Sequence, residues 1–329
     1  MVKRKIISYG LFFAVAVVLL YFSFRGVKWS DFWEGLHTAN YYWILLSMLF
    51  GALSFWIRSM RWRLLILGAG YYVKREDAFD AVNIAYLTNF ALPRAGEVAR
   101  CGVLVKSARA PFDALLGTVV LERAFDTFCL MVITMVVIAL QWDVFGSFMG
   151  RQLWTPFVEA FQGKSNYLIT ILLLCLLLSI LIIITRKRLR TFFIFKKISD
   201  LISGIVHGIK SGFTMKQKMP FLCYTVALWL LYLATCRCTI LAFPAAAHLT
   251  FLDALFLMAV GSLGWVVPVQ GGIGAYHFIV SLALTSVYAI GQTQSMVFAT
   301  ISHESQAVTM IIFGLFSFFR TFTKNNHSL

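Results

Sequence analysis

Six long runs with almost no charge constrain this chain more than any other feature. They fall at 6–24, 41–57, 115–141, 165–185, 219–243 and 294–319. About 20 helical residues, rising 1.5 Å each, cross the roughly 30 Å hydrocarbon core of a bilayer. In that core every backbone N–H and C=O needs an internal partner, which favours helices as spanning elements. The expectation is an all-α integral membrane protein. It forms a single polytopic domain over 1–329, with about six transmembrane helices and no soluble domain. Composition agrees: 60% of residues are hydrophobic and 13% charged, against about a quarter charged in a soluble domain. The first run follows Lys3, Arg4 and Lys5. It is longer than a signal-peptide core and no A-x-A site follows, so it reads as a retained span.

The net charge of +15 raises nucleic acid and then disfavours it, because the Lys and Arg residues lie mainly in loops beside apolar runs. Topology and anionic headgroups account for them better. Of the 29 Lys and Arg, 21 sit in segments that can share one side. These are residues 3–5, the stretch from Arg58 to Arg75, Lys106 with Arg109, nine between 186 and 218, and Arg320 with Lys324. Four (Arg25, Lys28, Arg151, Lys164) lie on the other side. That bias places both termini in the cytoplasm, in the cell membrane. The six Cys include no C-x-x-C and read as small hydrophobes. Two amphipathic stretches flank the spans: Trp29, Phe32, Trp33 and Leu36 outside, and a face running from Ile194 to Phe213 inside. Each suits a headgroup-plane helix or packing against the spans.

Two further apolar regions are interrupted. FDAVNIAYLTNFALPRAGEVARCGVLV begins at Phe79, and LDALFLMAVGSLGWVVPVQGGIGAYHFIV at Leu252. Both open with an apolar residue, Asp and Ala, and both carry P-x-x-G: Pro93 to Gly96, and Pro268 to Gly271. Proline disfavours helix at the residue before it and breaks the ladder behind it, while glycine permits the turn. Arms of about 13–16 residues reach only about 20–24 Å, short of a span. These regions therefore read as two re-entrant helical hairpins, the first entering from the cytoplasm and the second from outside. With the long span after each, they form repeat-like halves at about 77–141 and 252–319, an inverted repeat. Broken helices in corresponding halves point to a transporter's midplane site.

Arg94, Glu97, Arg100, Glu122, Arg123 and Asp126 sum to zero charge. Each ionised group near a bilayer centre costs at least about 2.5–3.5 kcal/mol, so such groups are paired or functional. Glu122 and Asp126 share a helical face and need a cation, which Arg94, Arg100 or Arg123 can supply. Two readings stay open. One is a phosphate site, with the amides of Ala95, Gly96 and Glu97 opening a helix beneath Arg94 and Arg100. The other is a buried ion-pair network. The second tip is more neutral: Gln270, Gly271, Gly272, Gly274, Tyr276 and His277, with His303 and Glu304 on the last span. A proton relay and plain interhelical hydrogen bonding both fit these histidines. His303-Glu304 lacks the second His of H-E-x-x-H, so the sequence reads as having no metal site. No cofactor, nucleotide motif, nucleophile–base pair or D-x-D is seen, which argues against an enzyme.

The motifs N-x-x-x-P-R-x-G-E-x-x-R (Asn89 to Arg100), E-R-x-x-D (Glu122 to Asp126) and P-x-x-G-G-I-G (Pro268 to Gly274) together resemble the transmembrane region of lysylphosphatidylglycerol synthases. That group includes flippase-like membrane proteins and the flippase portion of the multiple peptide resistance factor. The resemblance covers about 6–320. It implies translocation of a lipid with a charged headgroup, an anionic phospholipid or a polyprenyl-linked lipid. By motif, Asn89, Pro93, Arg94, Gly96, Glu97, Arg100, Glu122, Arg123, Asp126, Pro268, Gly271, Gly272 and Gly274 become candidate positions. The chain departs in having no aminoacyl-transferase domain, which argues against making lysylphosphatidylglycerol. It also departs in carrying His277 where the family pattern favours an acidic residue. The alternatives are a membrane enzyme or a non-transporting partner subunit in lipid or lipid-linked glycan metabolism. The sequence leaves a homo-oligomer open.

Overall fold

The computed structural model describes residues 14–142, 146, 148, 150, 154–155, 215–267 and 269–326. The expected span 165–185, the amphipathic face Ile194 to Phe213, the start of the first span and Pro268 lie outside the described residues. Among the described residues the fold is all-helical, with no strand. In chain order the helices are α1 (Ala14–Phe24), α2 (Trp29–Thr38), α3 (Tyr41–Gly68), α4 (Arg75–Ala91) and α5 (Gly96–Ser107). They continue with α6 (Phe112–Leu140), α7 (Lys218–Ala242), α8 (Phe251–Val266), α9 (Ala275–Tyr288) and α10 (Gln292–Asn326).

Among the described residues, five stretches are long and apolar enough to cross a membrane: Tyr41–Gly68, Phe112–Leu140, Lys218–Ala242, Gln270–Tyr288 and Gln292–Lys324. Four match expected spans. The fifth is the returning arm of the second broken region. It reaches spanning length only by adding the turn Gln270–Gly272 to the 14 residues of α9. Alone, α9 is about 21 Å long.

Helix α3 corrects the sequence reading. The uncharged run ends at Arg58, so the sequence reads as a span over 41–57 with Arg58, Arg61 and Arg63 in the cytoplasmic segment after it. The helix instead continues to Gly68. No proline interrupts it, and Arg58 and Arg61 are buried rather than solvated. Arg63 does reach the far end, where its Nε donates to the Val73 carbonyl at 2.8 Å.

The two broken regions form hairpins. Helix α4 packs on α5, and α8 on α9. The first turn occupies Leu92–Ala95, after which Gly96 opens α5 against α4. A Cβ on Gly96 would lie 2.3 Å from the Ala85 carbonyl oxygen, so only glycine lets the arms close this tightly. Thr250 and Asp253 cap α8 reciprocally, fixing where that arm begins. The second turn runs through Gly271, Gly272 and Gly274, all at positive φ.

Helix α10 acts as a ruler between the hairpins. Its first residues follow the α9 base through the left-handed Ala289. His303 meets the second tip, with Nε2 2.9 Å from the Gly271 carbonyl oxygen. Gly314 lies against Leu87 and the Asn83 carbonyl of α4. Arg320 then clamps Asp80 with bonds of 2.7–3.1 Å, and Lys324 reaches Asp77 at 3.0 Å. From His303 to Arg320 is about 25 Å of helix. The base of the first hairpin therefore lies at the C-terminal end of α10 and the base of the second at its N-terminal end. The hairpins enter the bundle from opposite ends and meet at their tips. A Cβ on Gly271 would sit 2.4 Å from the Phe90 ring, and the Arg94 guanidinium donates to the Val266 carbonyl.

The apolar core has two main clusters that match this division. One packs Trp62, Leu65 and Leu104 around the first hairpin, and the other packs Phe256, Leu284 and Met296 around the second. Helix α2 presents the expected face, with Phe32 buried and Trp29 and Trp33 exposed, and packs against α10.

Candidate functional site

The expected site residues separate into an arginine–carboxylate network and a histidine cluster at the second tip, with the first tip between them.

The network joins α3, α5 and α6. Glu122, fully buried, receives Arg58 Nε at 3.1 Å and Arg61 Nη2 at 3.2 Å on Oε1, and Arg100 Nη1 at 2.7 Å on Oε2. Asp126, one turn on, takes Arg61 at 2.6 Å, Arg58 at 3.4 Å and Arg123 at 3.2 Å. Arg123 also reaches Glu122 at 3.3 Å, and its Nε lies 3.8 Å from Glu97. The i, i+4 spacing of Glu122 and Asp126 puts both carboxylates on one face of α6. Arg58 and Arg61, three apart on α3, meet them as a pair. Arg100 is also held over the Trp62 ring at 4.5 Å, and the Trp62 indole bonds Thr118 at 3.0 Å.

Two of these arginines were missed in the sequence. With Arg58, Arg61, Arg100 and Arg123 set against Glu97, Glu122 and Asp126, the network carries +1 rather than zero. Arg61 Nε and Nη1 and Arg100 Nε and Nη2 are buried and have no hydrogen-bond partner among the described residues. A buried donor left unpaired costs about 1–3 kcal/mol, more when charged. The network is therefore short of acceptors as well as negative charge.

At the first tip Arg94 and the turn amides have partners of their own. The sequence grouped Arg94 with Arg100 and Arg123, but Arg100 and Arg123 are committed to carboxylates. Arg94 makes its one hydrogen bond among the described residues across the gap, to Val266. Two of the three expected amides are also taken. Ala95 N–H donates to the Leu92 carbonyl at 3.1 Å, and Gly96 N–H to Asn89 Oδ1 at 2.8 Å. Asn89 thus clamps the turn. Arg94 is exposed and sits at φ 63°. That left-handed conformation costs an L-residue roughly 1–2 kcal/mol, and such strain clusters where function demands it.

At the second tip, His277 from α9 and His303 and Glu304 from α10 converge. Their ligand atoms lie within 4.8 Å of one another. Glu304 Oε1 is 3.0 Å from His303 Nδ1 and 3.7 Å from His277 Nε2. Both rings are buried, while the Glu304 side chain is 51% exposed. Trp265 stacks on His303 at 5.0 Å and 21°. Gly271 supplies the carbonyl that holds His303, and Gly272 lies against Trp265. Gly274 lies against the Ala16 carbonyl of α1. Gln270 keeps a buried Oε1 with no partner among the described residues. The sequence set His303-Glu304 aside for want of a second histidine four residues on. The structure supplies that histidine from another helix.

No curated protein and no solved structure matched the chain. The model of the lysylphosphatidylglycerol synthase TM region matches residues 7–314. With nearly the whole helical bundle matched, this multi-pass membrane protein belongs to the lysylphosphatidylglycerol synthase transmembrane-region family, which is linked to lipid metabolism.

Proposed function

We propose that the protein is a flippase-like transporter that moves a lipid with a charged, phosphate-bearing headgroup across the cell membrane. It does so without catalysing a reaction on that lipid. The observation that carries this reading is the meeting of two broken helices, tip to tip, from opposite ends of the bundle. Non-helical backbone at membrane depth is tolerated only where protein buries it or a polar cavity is lined by it. Opposed broken helices place substrate at the midplane. Arg94 supports the reading. It is exposed between the tips, positively charged, strained in its backbone, and able to offer four further donors to a phosphate.

In this reading both hairpins are re-entrant, the headgroup passes between the tips, and the acyl chains stay in lipid. Asn89 and Gly96 hold the first turn, and Gln270, Gly271, Gly272 and Gly274 shape the second. The network of Glu97, Arg100, Glu122, Arg123 and Asp126, completed by Arg58 and Arg61, fixes the first hairpin. It also lends the site its surplus positive charge. Lys74, Arg75, Arg320 and Lys324 gather at the base of the first hairpin. By the positive-inside rule that base faces the cytoplasm.

The test is reconstitution of the purified chain in vesicles with headgroup-labelled anionic and zwitterionic lipids. The reading expects accelerated movement of the anionic lipid between leaflets. Chemical turnover of the headgroup without movement would assign an enzyme instead. Neither activity across a panel including polyprenyl-linked lipids would leave a partner subunit.

A further inference from the structure

We propose that His277, His303 and Glu304 form a binding site for a divalent transition-metal ion of the zinc class. The inference stands apart from the lipid reading.

The argument starts with the proton on His303. Its Nε2 lies 2.9 Å from the Gly271 carbonyl oxygen. A carbonyl only accepts, so Nε2 carries the hydrogen. In the neutral ring Nδ1 then holds a lone pair, and that nitrogen lies 3.0 Å from Glu304 Oε1. Two acceptors facing at this distance require a cation between them. His277 brings its Nε2 to 3.7 Å from the same oxygen, and with the ring hydrogen on Nδ1 this nitrogen is a third acceptor. His277 Nδ1 has no partner among the described residues. Among the described residues, the Glu304 carboxylate and the His303 ring, 4.8 Å away between centroids, are the polar groups this ring meets.

A lone proton satisfies His303 and Glu304 but leaves the convergence of His277 unexplained. A metal uses all three. Zn–N and Zn–O bonds of about 2.0–2.2 Å in a tetrahedral site set ligand atoms about 3.4 Å apart. The two separations in the structure, 3.0 and 3.7 Å, bracket that value. The limit of 4.8 Å for the widest pair calls for a modest turn of one ring. The set of two imidazoles and a carboxylate suits zinc and its neighbours rather than calcium or magnesium, which prefer all-oxygen sites.

The surroundings have the form of a metal centre's outer shell. A metal-bound imidazole donates its second N–H to a carbonyl or carboxylate, as His303 does to Gly271. Gly271 reaches that position because it adopts φ 55°. Trp265 holds the His303 ring flat, and buried surroundings hold both histidines. Glu304, half exposed, leaves one side of the site accessible. With three protein ligands, a fourth position stays open.

The experiment uses the full chain in detergent, with any affinity tag removed and metal stripped by a chelator. Zn2+ is titrated against a chromophoric competitor, and Co2+ serves as the spectroscopic probe. The proposal expects one Zn2+ per chain, a visible Co2+ band of tetrahedral intensity, and a thermal midpoint raised by metal. Glu304→Gln keeps the shape of a half-exposed side chain, and its metal-free midpoint is measured alongside so that affinities are compared between folded proteins. It should weaken affinity by about tenfold or more, since even outer-shell changes cost 10–100-fold. His277→Ala should do the same, and Cys236→Ser/Cys238→Ser should not. No stoichiometric Zn2+ binding overturns the proposal. So does binding untouched by Glu304→Gln and His277→Ala, or lost with the cysteines. A midpoint that responds to pH alone and never to metal identifies a proton site and likewise overturns it.

Discussion

Glu122 joins four arginines, and Glu122→Gln tests what that junction is worth. The substitution keeps the shape and removes one negative charge at a fully buried position. It strips charge-assisted contacts from Arg58, Arg61, Arg100 and Arg123, which lie 2.7–3.3 Å away. The network then passes from +1 to +2. Breaking a buried ion pair by removing one partner costs about 3–5 kcal/mol. At about 2–4 °C per kcal/mol for a domain of 150–250 residues, the thermal midpoint in detergent should fall by on the order of 10 °C. Arg100 offers the control, because Glu122 is its one ion-pair partner among the described residues. Arg100→Gln alone should destabilise. The double variant Arg100→Gln/Glu122→Gln should lose less than the two single losses summed, since both ends of the contact go together. The assay is the thermal midpoint by fluorescence-detected size exclusion for all four proteins. An unchanged midpoint in Glu122→Gln would refute the reasoning. So would strict additivity, with coupling under about 0.5 kcal/mol.

Three further outcomes follow from contacts at the tips and bases. Asn89→Ala removes the acceptor for Gly96 N–H and should cost about 1–3 kcal/mol, read as a lowered midpoint. Gly271→Ala puts a Cβ 2.4 Å from the Phe90 ring at a positive φ. It should raise protease sensitivity near the tips while leaving the base pairs intact. Asp80→Asn weakens the bidentate clamp of Arg320 at the base of the first hairpin. It should speed amide exchange at the C-terminal end of α10 more than at His303, as measured by hydrogen–deuterium exchange.

The repeated P-x-x-G made both breaks visible, because proline and glycine act locally. The hairpins and their shared geometry were legible for that reason. The extent of α3 was not. Hydropathy ends a span at the first arginine, and nothing local says that Arg58 and Arg61 face carboxylates 61 to 68 residues away. One signal was present: the two arginines stand three apart in a helix-compatible run with no breaker before Gly68. A pair of carboxylates on α6 needed such partners. Arg94 illustrates the opposite case. Arg100, six residues on, and Arg123 suggested one site with it. The left-handed turn instead sends its side chain to a carbonyl 172 residues away. The histidine cluster was half seen. His303-Glu304 is a local pair, but His277 joins it only because α9 folds back onto α10.

The central claim is that the exposed cation between the tips carries the headgroup. Arg94→Gly tests it most directly, because glycine adopts φ 63° freely and relieves about 1 kcal/mol of strain as it removes the guanidinium. The measurement is the initial rate of anionic-lipid translocation in vesicles holding equal amounts of folded wild-type and Arg94→Gly protein. The account predicts an unchanged or raised thermal midpoint together with loss of most of the translocation rate. A variant that stays folded and moves lipid at the wild-type rate would contradict it.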